Sequence, residues 1–142
     1  MRVSQKAEYA LRAMLELTLR YQAGQPVRTA EIAREQKIPE KFLELILVDL
    51  RHGGLITSQR GPVGGHRLSR RPEEISVGDV WRVIDGEPEH KNGSKGKAKD
   101  EDPFAEIWTE VDKAVAKVVD HVSLADVRRR AEAGRNVADF SI

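Results

Sequence analysis

From Gln5 to Gln22 apolar side chains recur at helical spacing: Tyr9, Ala10, Ala13, Met14, Leu17 and Tyr21 form one stripe, and Leu11, Leu15 and Leu19 widen it. A stripe this broad predicts a helix buried over more than half its girth and stopped by Gly24. Thr29 stands where it can cap a short helix through Ile32, Ala33 and Gln36. Pro39 then opens another, whose Phe42, Leu43, Ile46, Leu47 and Leu50 are the inner face and whose close is Gly53-Gly54. Joined through Lys37-Ile38-Pro39, the two have the proportions of a helix-turn-helix. Two strand-like segments follow, Leu55–Ser58 and His66–Ser69, around the turn-rich Gln59-Arg-Gly-Pro-Val-Gly-Gly65, and this pattern predicts a hairpin. A helix-turn-helix with such a hairpin behind it is a winged helix. Ser76 with Asp79 makes a capping box, with Ile75 and Val80 at the staple positions, so a helix is expected from Val77 to Asp85, ending at Gly86.

Residues 87–103 are almost free of apolar side chains and predict a flexible linker. Beyond them Phe104, Trp108, Val111, Val115, Val118 and Val122 are spaced 4, 3, 4, 3, 4, with Ile107 and Val119 beside them. That is the period of a helix-helix seam, and a seam needs a partner. Ser123 with Asp126 repeats the capping box and starts a short helix expected to end near Gly134. The fold class is thus mostly α with a small β-hairpin wing. It divides into a winged helix-turn-helix over 1–86, a linker over 87–103, a dimerisation helix with a short C-terminal helix over 104–134, and a tail over 135–142.

Composition narrows what this architecture can do. The 142 residues carry 24 Lys and Arg against 23 Asp and Glu, so the net charge of +1 gives no global pull toward a polyanion. There is no cysteine, which removes disulfides, thiolate nucleophiles and clusters held by cysteine. No apolar run approaches a membrane span and the N-terminus lacks the apolar core of a signal peptide, so a cytoplasmic protein is expected.

The charge is nevertheless local. Between Leu50 and Pro72 lie Arg51, Arg60, Arg67, Arg70 and Arg71, with His52 and His66, and no acidic residue. A positive field centred on the wing suits a phosphate backbone, although a solvated arginine-rich hairpin would look the same. With its inner face committed, the second helix of the helix-turn-helix exposes Glu40, Lys41, Glu44, Leu45 and Val48, and its first turns would enter a major groove. A carboxylate at Glu44 either accepts from cytosine N4 or pairs with Lys41 one turn back. Gly61, Gly64 and Gly65 let backbone approach a phosphate or permit tight turns. His52, His66, His90 and His121 show no metal-ligand pairing, and no nucleophile elbow is present, so neither a cofactor nor an enzyme is expected.

These segments resemble the Rrf2 family of bacterial winged-helix regulators. The resemblance is carried by Lys6-Ala-Glu-Tyr-Ala-Leu-Arg-Ala-Met14, by Ile32-Ala, Phe42-Leu-Glu44 and Leu50-Arg-His-Gly-Gly-Leu-Ile56, and by Ser58-Gln-Arg-Gly-Pro-Val-Gly-Gly65 with Ile75-Ser-Val-Gly-Asp-Val80. It implies a homodimeric repressor whose long helices, here Phe104 to Val122, cross at the two-fold axis while each winged helix reads half of a palindrome on double-stranded DNA. It also implies base discrimination at Glu44, a wing contact at Arg60 and a backbone contact near Tyr9; Thr29, Pro39, Glu40, Lys41, Leu45, Arg51, Gly61, Gly64, Gly65 and His66 complete the expected DNA surface. Cluster-bearing members place three cysteines within the segment matching 87–103, and this chain has none. Pro39, Leu45 and His66 stand where a capping Ser or Thr, a Gln and a Tyr are common in the family. Among cluster-free members the chain most resembles the CymR-like repressors of cysteine metabolism, which implies O-acetylserine thiol-lyase (cysteine synthase) as a partner. The apolar tail residues Phe140 and Ile142 would either bind that enzyme or fold back on the chain. Two other readings stay open: a winged helix used only for protein assembly, and a metal sensor built on linker carboxylates and His90.

Overall fold

Ser4 sets the first helix and ties it to a distant one. Its hydroxyl accepts from the Ala7 amide at 3.0 Å and donates to Asp85 Oδ1 at 2.5 Å, while its own amide donates to Asp85 Oδ2 at 3.1 Å. The computed structural model describes residues 2–87 and 102–140. In chain order it contains α1 (Gln5–Leu19), a single 3-10 turn at Tyr21–Ala23, α2 (Thr29–Gln36), α3 (Glu40–His52), β1 (Ile56–Gln59), β2 (Gly65–Leu68), a second 3-10 turn at Pro72–Glu74, α4 (Val77–Asp85), α5 (Ala105–Val119) and α6 (Leu124–Phe140). The two strands pair antiparallel, with Ile56 opposite Leu68 and Gln59 opposite Gly65. This is the expected winged helix-turn-helix with a further pair of helices.

The core forms around α1. Ala7, Ala10, Ala13 and Met14 are fully buried, and α1 touches α2, α3, α4, α6 and β2. Small side chains on that face let neighbouring helices approach closely, and Leu43, Ile46 and Leu50 of α3, Ile75 and Val80 fill the space between. Glu16 is also buried, held by Arg20 Nε at 2.8 Å and Gln36 Nε2 at 2.9 Å; Arg20 extends to Glu31 at 2.5 Å, which sets α2 against α1. Burial works against the charge of Asp85, but the Ser4 bonds, the Trp81 indole N–H and Lys6 outweigh it and hold its pKa below the usual carboxylate value. Its contribution to stability is therefore present above that usual value and lost as the pH falls below it.

Both capping boxes close as the spacing predicts. Ser76 and Asp79 exchange bonds of 2.9 Å, and Ser123 and Asp126 exchange bonds of 2.9 and 3.0 Å. Four expectations are corrected. Thr29 is the first residue of α2 and not its cap; Arg28 holds the capping position in extended backbone, and the Thr29 hydroxyl is drawn to His66 instead. Phe42 is not core: it is 36% exposed and stands edge-on to Tyr9, with ring centroids 5.6 Å apart. Val122 leaves the helical seam, because α5 ends at Val119 and the Val122 carbonyl accepts from the Val77 amide at 2.8 Å. Gly134 does not stop the last helix, since a glycine inside a helix costs only about 1 kcal/mol and Ala131, Glu132, Ala133 and Arg135 around it favour continuation.

The start of α6 shares the core built around α1. Leu124 and Ala125 at the start of α6 are buried, Leu124 belongs to the cluster centred on α1, and α6 packs on α1 and on the 3-10 turn before α4. Of the expected linker, residues 88–101 lie outside the described residues, as do Ile142 and the side chain of Phe140. Leu124→Ala should destabilise the whole fold by about 2–5 kcal/mol, read as one cooperative transition in urea. A separate early transition confined to part of the chain would show instead that α6 is an independent unit.

Candidate nucleic-acid interface

Four apolar anchors decide which way α3 faces. Leu43, Ile46, Leu47 and Leu50 are buried, so Glu40, Lys41, Glu44, Leu45 and Val48 are turned outward as the spacing predicts. Among the described residues no ion pair joins Lys41 to Glu44, which leaves the Glu44 carboxylate directed to solvent. Lys6 of α1 braces α3 from behind through Asp49 at 2.6 Å. Tyr9, edge-on to Phe42, accepts from Gln5 Nε2 at 3.2 Å and occupies the edge where α1 meets the start of α3.

The wing is built by residues that the sequence offers as contacts. His66 is its centre: Nε2 shares a hydrogen bond with Thr29 Oγ1 at 2.9 Å and Nδ1 one with Ser58 Oγ at 2.7 Å. Its backbone exchanges two bonds with Val27, at 2.9 and 2.8 Å, so the segment before α2 adds a single antiparallel bridge to β2. Gly65 has to be glycine, with φ at +149° and a would-be Cβ 2.7 Å from the Val27 carbonyl oxygen. Gly64 is equally constrained, because a Cβ there would lie 2.1 Å from the Gln59 carbonyl oxygen. Its amide is spent inside the turn on Gly61, at 2.9 Å. Arg28 closes the frame by donating to the Pro62 carbonyl. Thr29, Gly64, Gly65 and His66 thus shape the wing, whereas Pro39, Arg51, Arg60 and Gly61 are exposed on it and beside it.

Arg67 and Arg70 are exposed as well, while Arg71 is engaged with Glu74 at 3.1 Å. Arg51, at the end of α3, acts on the charge of His66, so the helix and the wing form one electropositive neighbourhood. Burial first, and Arg51 second, push the His66 pKa below its usual 6.5. Sequence reasoning missed the Arg28 clasp and the Val27 bridge. A single extended residue and one arginine leave no periodic signal.

A different surface gathers a cluster of acidic side chains. Glu73, Glu74, Asp79, Asp120 and Asp126 line an open cleft of about 580 Å³ with Arg82 and His121. Asp79 and Asp126 are committed to the capping boxes, and Asp120 accepts from Arg82 at 2.5 Å. Among the described residues no group of three or more His, Asp or Glu side chains is placed to hold a metal ion. No described helix is long and apolar enough to cross a membrane.

The geometry agrees with known proteins. The model of the Rrf2 family, described as iron-dependent transcriptional regulators, matches residues 3–130. The HTH-type transcriptional regulator CymR of Bacillus subtilis is 34% identical over 128 residues, 89% of this chain and 89% of its own. The structure of CymR, the global cysteine regulator of B. subtilis, superposes with a TM-score of 0.77 over 92% of this chain and 98% of that one. T. potens IscR gives the same TM-score at 34% identity, over 94% and 90% of the two chains. The family description names iron, but with no cysteine and no suitable group of other ligands, the described residues of this chain do not fit a metal or cluster.

Because the fold favours neutral His66, acid works against the wing. As the pH falls below about 6.5 the unfolded chain takes up a proton that the folded chain resists, so His66 should subtract from stability there. His66→Gln, which keeps a polar side chain, is expected to flatten the fall in urea midpoint between about pH 7.5 and about pH 5 relative to the parent. An unchanged slope would assign the acid sensitivity to other groups.

Proposed function

Because the chain belongs to the Rrf2 family of transcriptional regulators, we propose that it acts as a homodimeric, sequence-specific DNA-binding repressor of a palindromic operator, working without an iron-sulfur cluster. The observation that carries this reading is the pairing of an outward helix face on α3 with a wing whose exposed arginines meet no acidic residue between Leu50 and Pro72. In it, α3 enters the major groove, Glu44 discriminates among bases, and Arg60 at the wing and Tyr9 at the edge of α1 meet the backbone.

The second element is α5. None of its residues is buried within one chain, and Phe104, Ile107, Trp108, Val111 and Val118 are all exposed. An apolar stripe of this length is what a second copy would cover, with Val115 and Val119 continuing it at half burial. Two winged helices related by that axis would read two half-sites. Control of sulfur metabolism, with O-acetylserine thiol-lyase as a protein partner, is the finer part of the proposal and is supported by the likeness to CymR.

Selection of bound sequences from random DNA, followed by salt-dependent anisotropy, tests the reading. Arg60→Ala should weaken binding to every sequence alike and reduce the salt slope by about one phosphate, whereas Glu44→Ala should broaden the selected motif by roughly 1–3 kcal/mol of lost discrimination. A motif unchanged in Glu44→Ala would remove Glu44 from base reading. Trp108→Asp places a charge in the seam, and sedimentation should then show monomers that bind a palindrome no better than one half-site. A dimer that survives the substitution would place the subunit contact elsewhere.

A further inference from the structure

We propose that α3 reads thymine through its methyl group, with Leu45 and Val48 as the specificity-determining side chains; this rests on the DNA-binding reading above. The observation is a pair of aliphatic residues where the fold does not need them. Leu45 is 62% exposed and Val48 39% exposed, one turn apart on the face that also carries Lys41 and Glu44. Neither belongs to the core cluster around α1.

The chemistry of that face is unusual for a reading surface. From Glu40 to Val48 the outward side chains are two carboxylates, one ammonium, two aliphatic groups and the Phe42 ring engaged by Tyr9. It holds no Arg, Asn or Gln, so the bidentate amides that recognise adenine are missing there and Lys41 is the one donor left for guanine. Base edges in the major groove offer one apolar feature, the methyl of thymine, and aliphatic side chains can bury it. The surroundings favour duplex DNA as the occupant over a second copy of this surface. Arg51 closes α3 beside the wing, which carries Arg60 and Arg67, and no acidic residue lies between 50 and 72, so two copies of this basic region would repel where a polyanion is attracted.

Spacing then sets what is read. Three residues along a helix advance ~4.5 Å, against ~3.4 Å per base pair, so Leu45 and Val48 address neighbouring pairs. Glu44, adjacent to Leu45, accepts from cytosine N4 beside them. The half-site should therefore hold one or two thymines next to a cytosine.

The test uses the full-length protein and the operator selected from random DNA. Each thymine of one half-site is replaced singly by deoxyuridine, which removes the methyl and leaves base pairing intact, and affinity is read by anisotropy. Loss of about three- to fivefold at one or two neighbouring positions is expected for each methyl no longer buried. Bromodeoxyuridine, whose bromine is close to a methyl in size, should restore binding. Leu45→Ala should abolish the thymine–uracil difference at one position and Val48→Ala at the other, with unchanged thermal melts because both side chains are exposed. A motif without thymine in the half-site, no uracil effect, or a uracil effect that persists in both alanine variants overturns the proposal while leaving DNA binding intact. Failure to select any sequence overturns the DNA-binding reading itself, and this inference with it.

Discussion

The outward surfaces of this protein depend on how closely other elements can approach α1. Ala7, Ala10 and Ala13 are fully buried, and their short side chains bring α2, α3, α4, α6 and β2 against one helix. With the approach fixed, the anchors of α3 have one place to go, and the rotation of α3 about its own axis follows. That rotation decides that Glu44, Leu45 and Val48 face outward. A larger residue at Ala10 or Ala13 would have to push a neighbouring helix away, and would alter the reading surface without touching it.

The wing follows a second constraint, close contact between backbones. Gly64 and Gly65 have no room for a Cβ, and the space they leave is taken by the Gln59 and Val27 carbonyls. His66 then joins the start of α2 to both strands through Thr29 and Ser58. The imidazole is held by hydroxyls that can donate or accept, so its hydrogen bonds survive a change of protonation; burial and Arg51 are what disfavour the charge. The basic side chains on the hairpin are therefore presented by a rigid frame.

The third constraint links α4 to the pair of helices that follows it. The Val122 carbonyl and the Leu124 amide pair with Val77 and Ile75, and Arg82 reaches Asp120 across the same junction. The start of α4 is thereby bonded to the turn between α5 and α6. The same junction leaves α5 with little to bury against inside one chain.

Periodicity and caps were legible without coordinates. Both capping boxes, the Lys37-Ile38-Pro39 turn and the outward set on α3 lie where local spacing puts them, because each is decided by residues three or four apart. The family resemblance was legible in the wing signature for a related reason, since Gly64 and Gly65 are required by close backbone contact. Other features needed the tertiary structure. Thr29 could satisfy a helix end or an imidazole, and only the arrival of His66 from 37 residues away decided between them. Phe42 fits a buried stripe by spacing, yet the edge of α1 at Tyr9 leaves it part in solvent. Gly134 reads as a stop locally, but glycine's cost to a helix is small enough for its neighbours to carry α6 onward. Leu124 joined the core because a strand-like bridge brought Ser123 to Ser76. Local sequence fixes what a segment can form on its own, and contacts between distant segments decide which of its surfaces remain free.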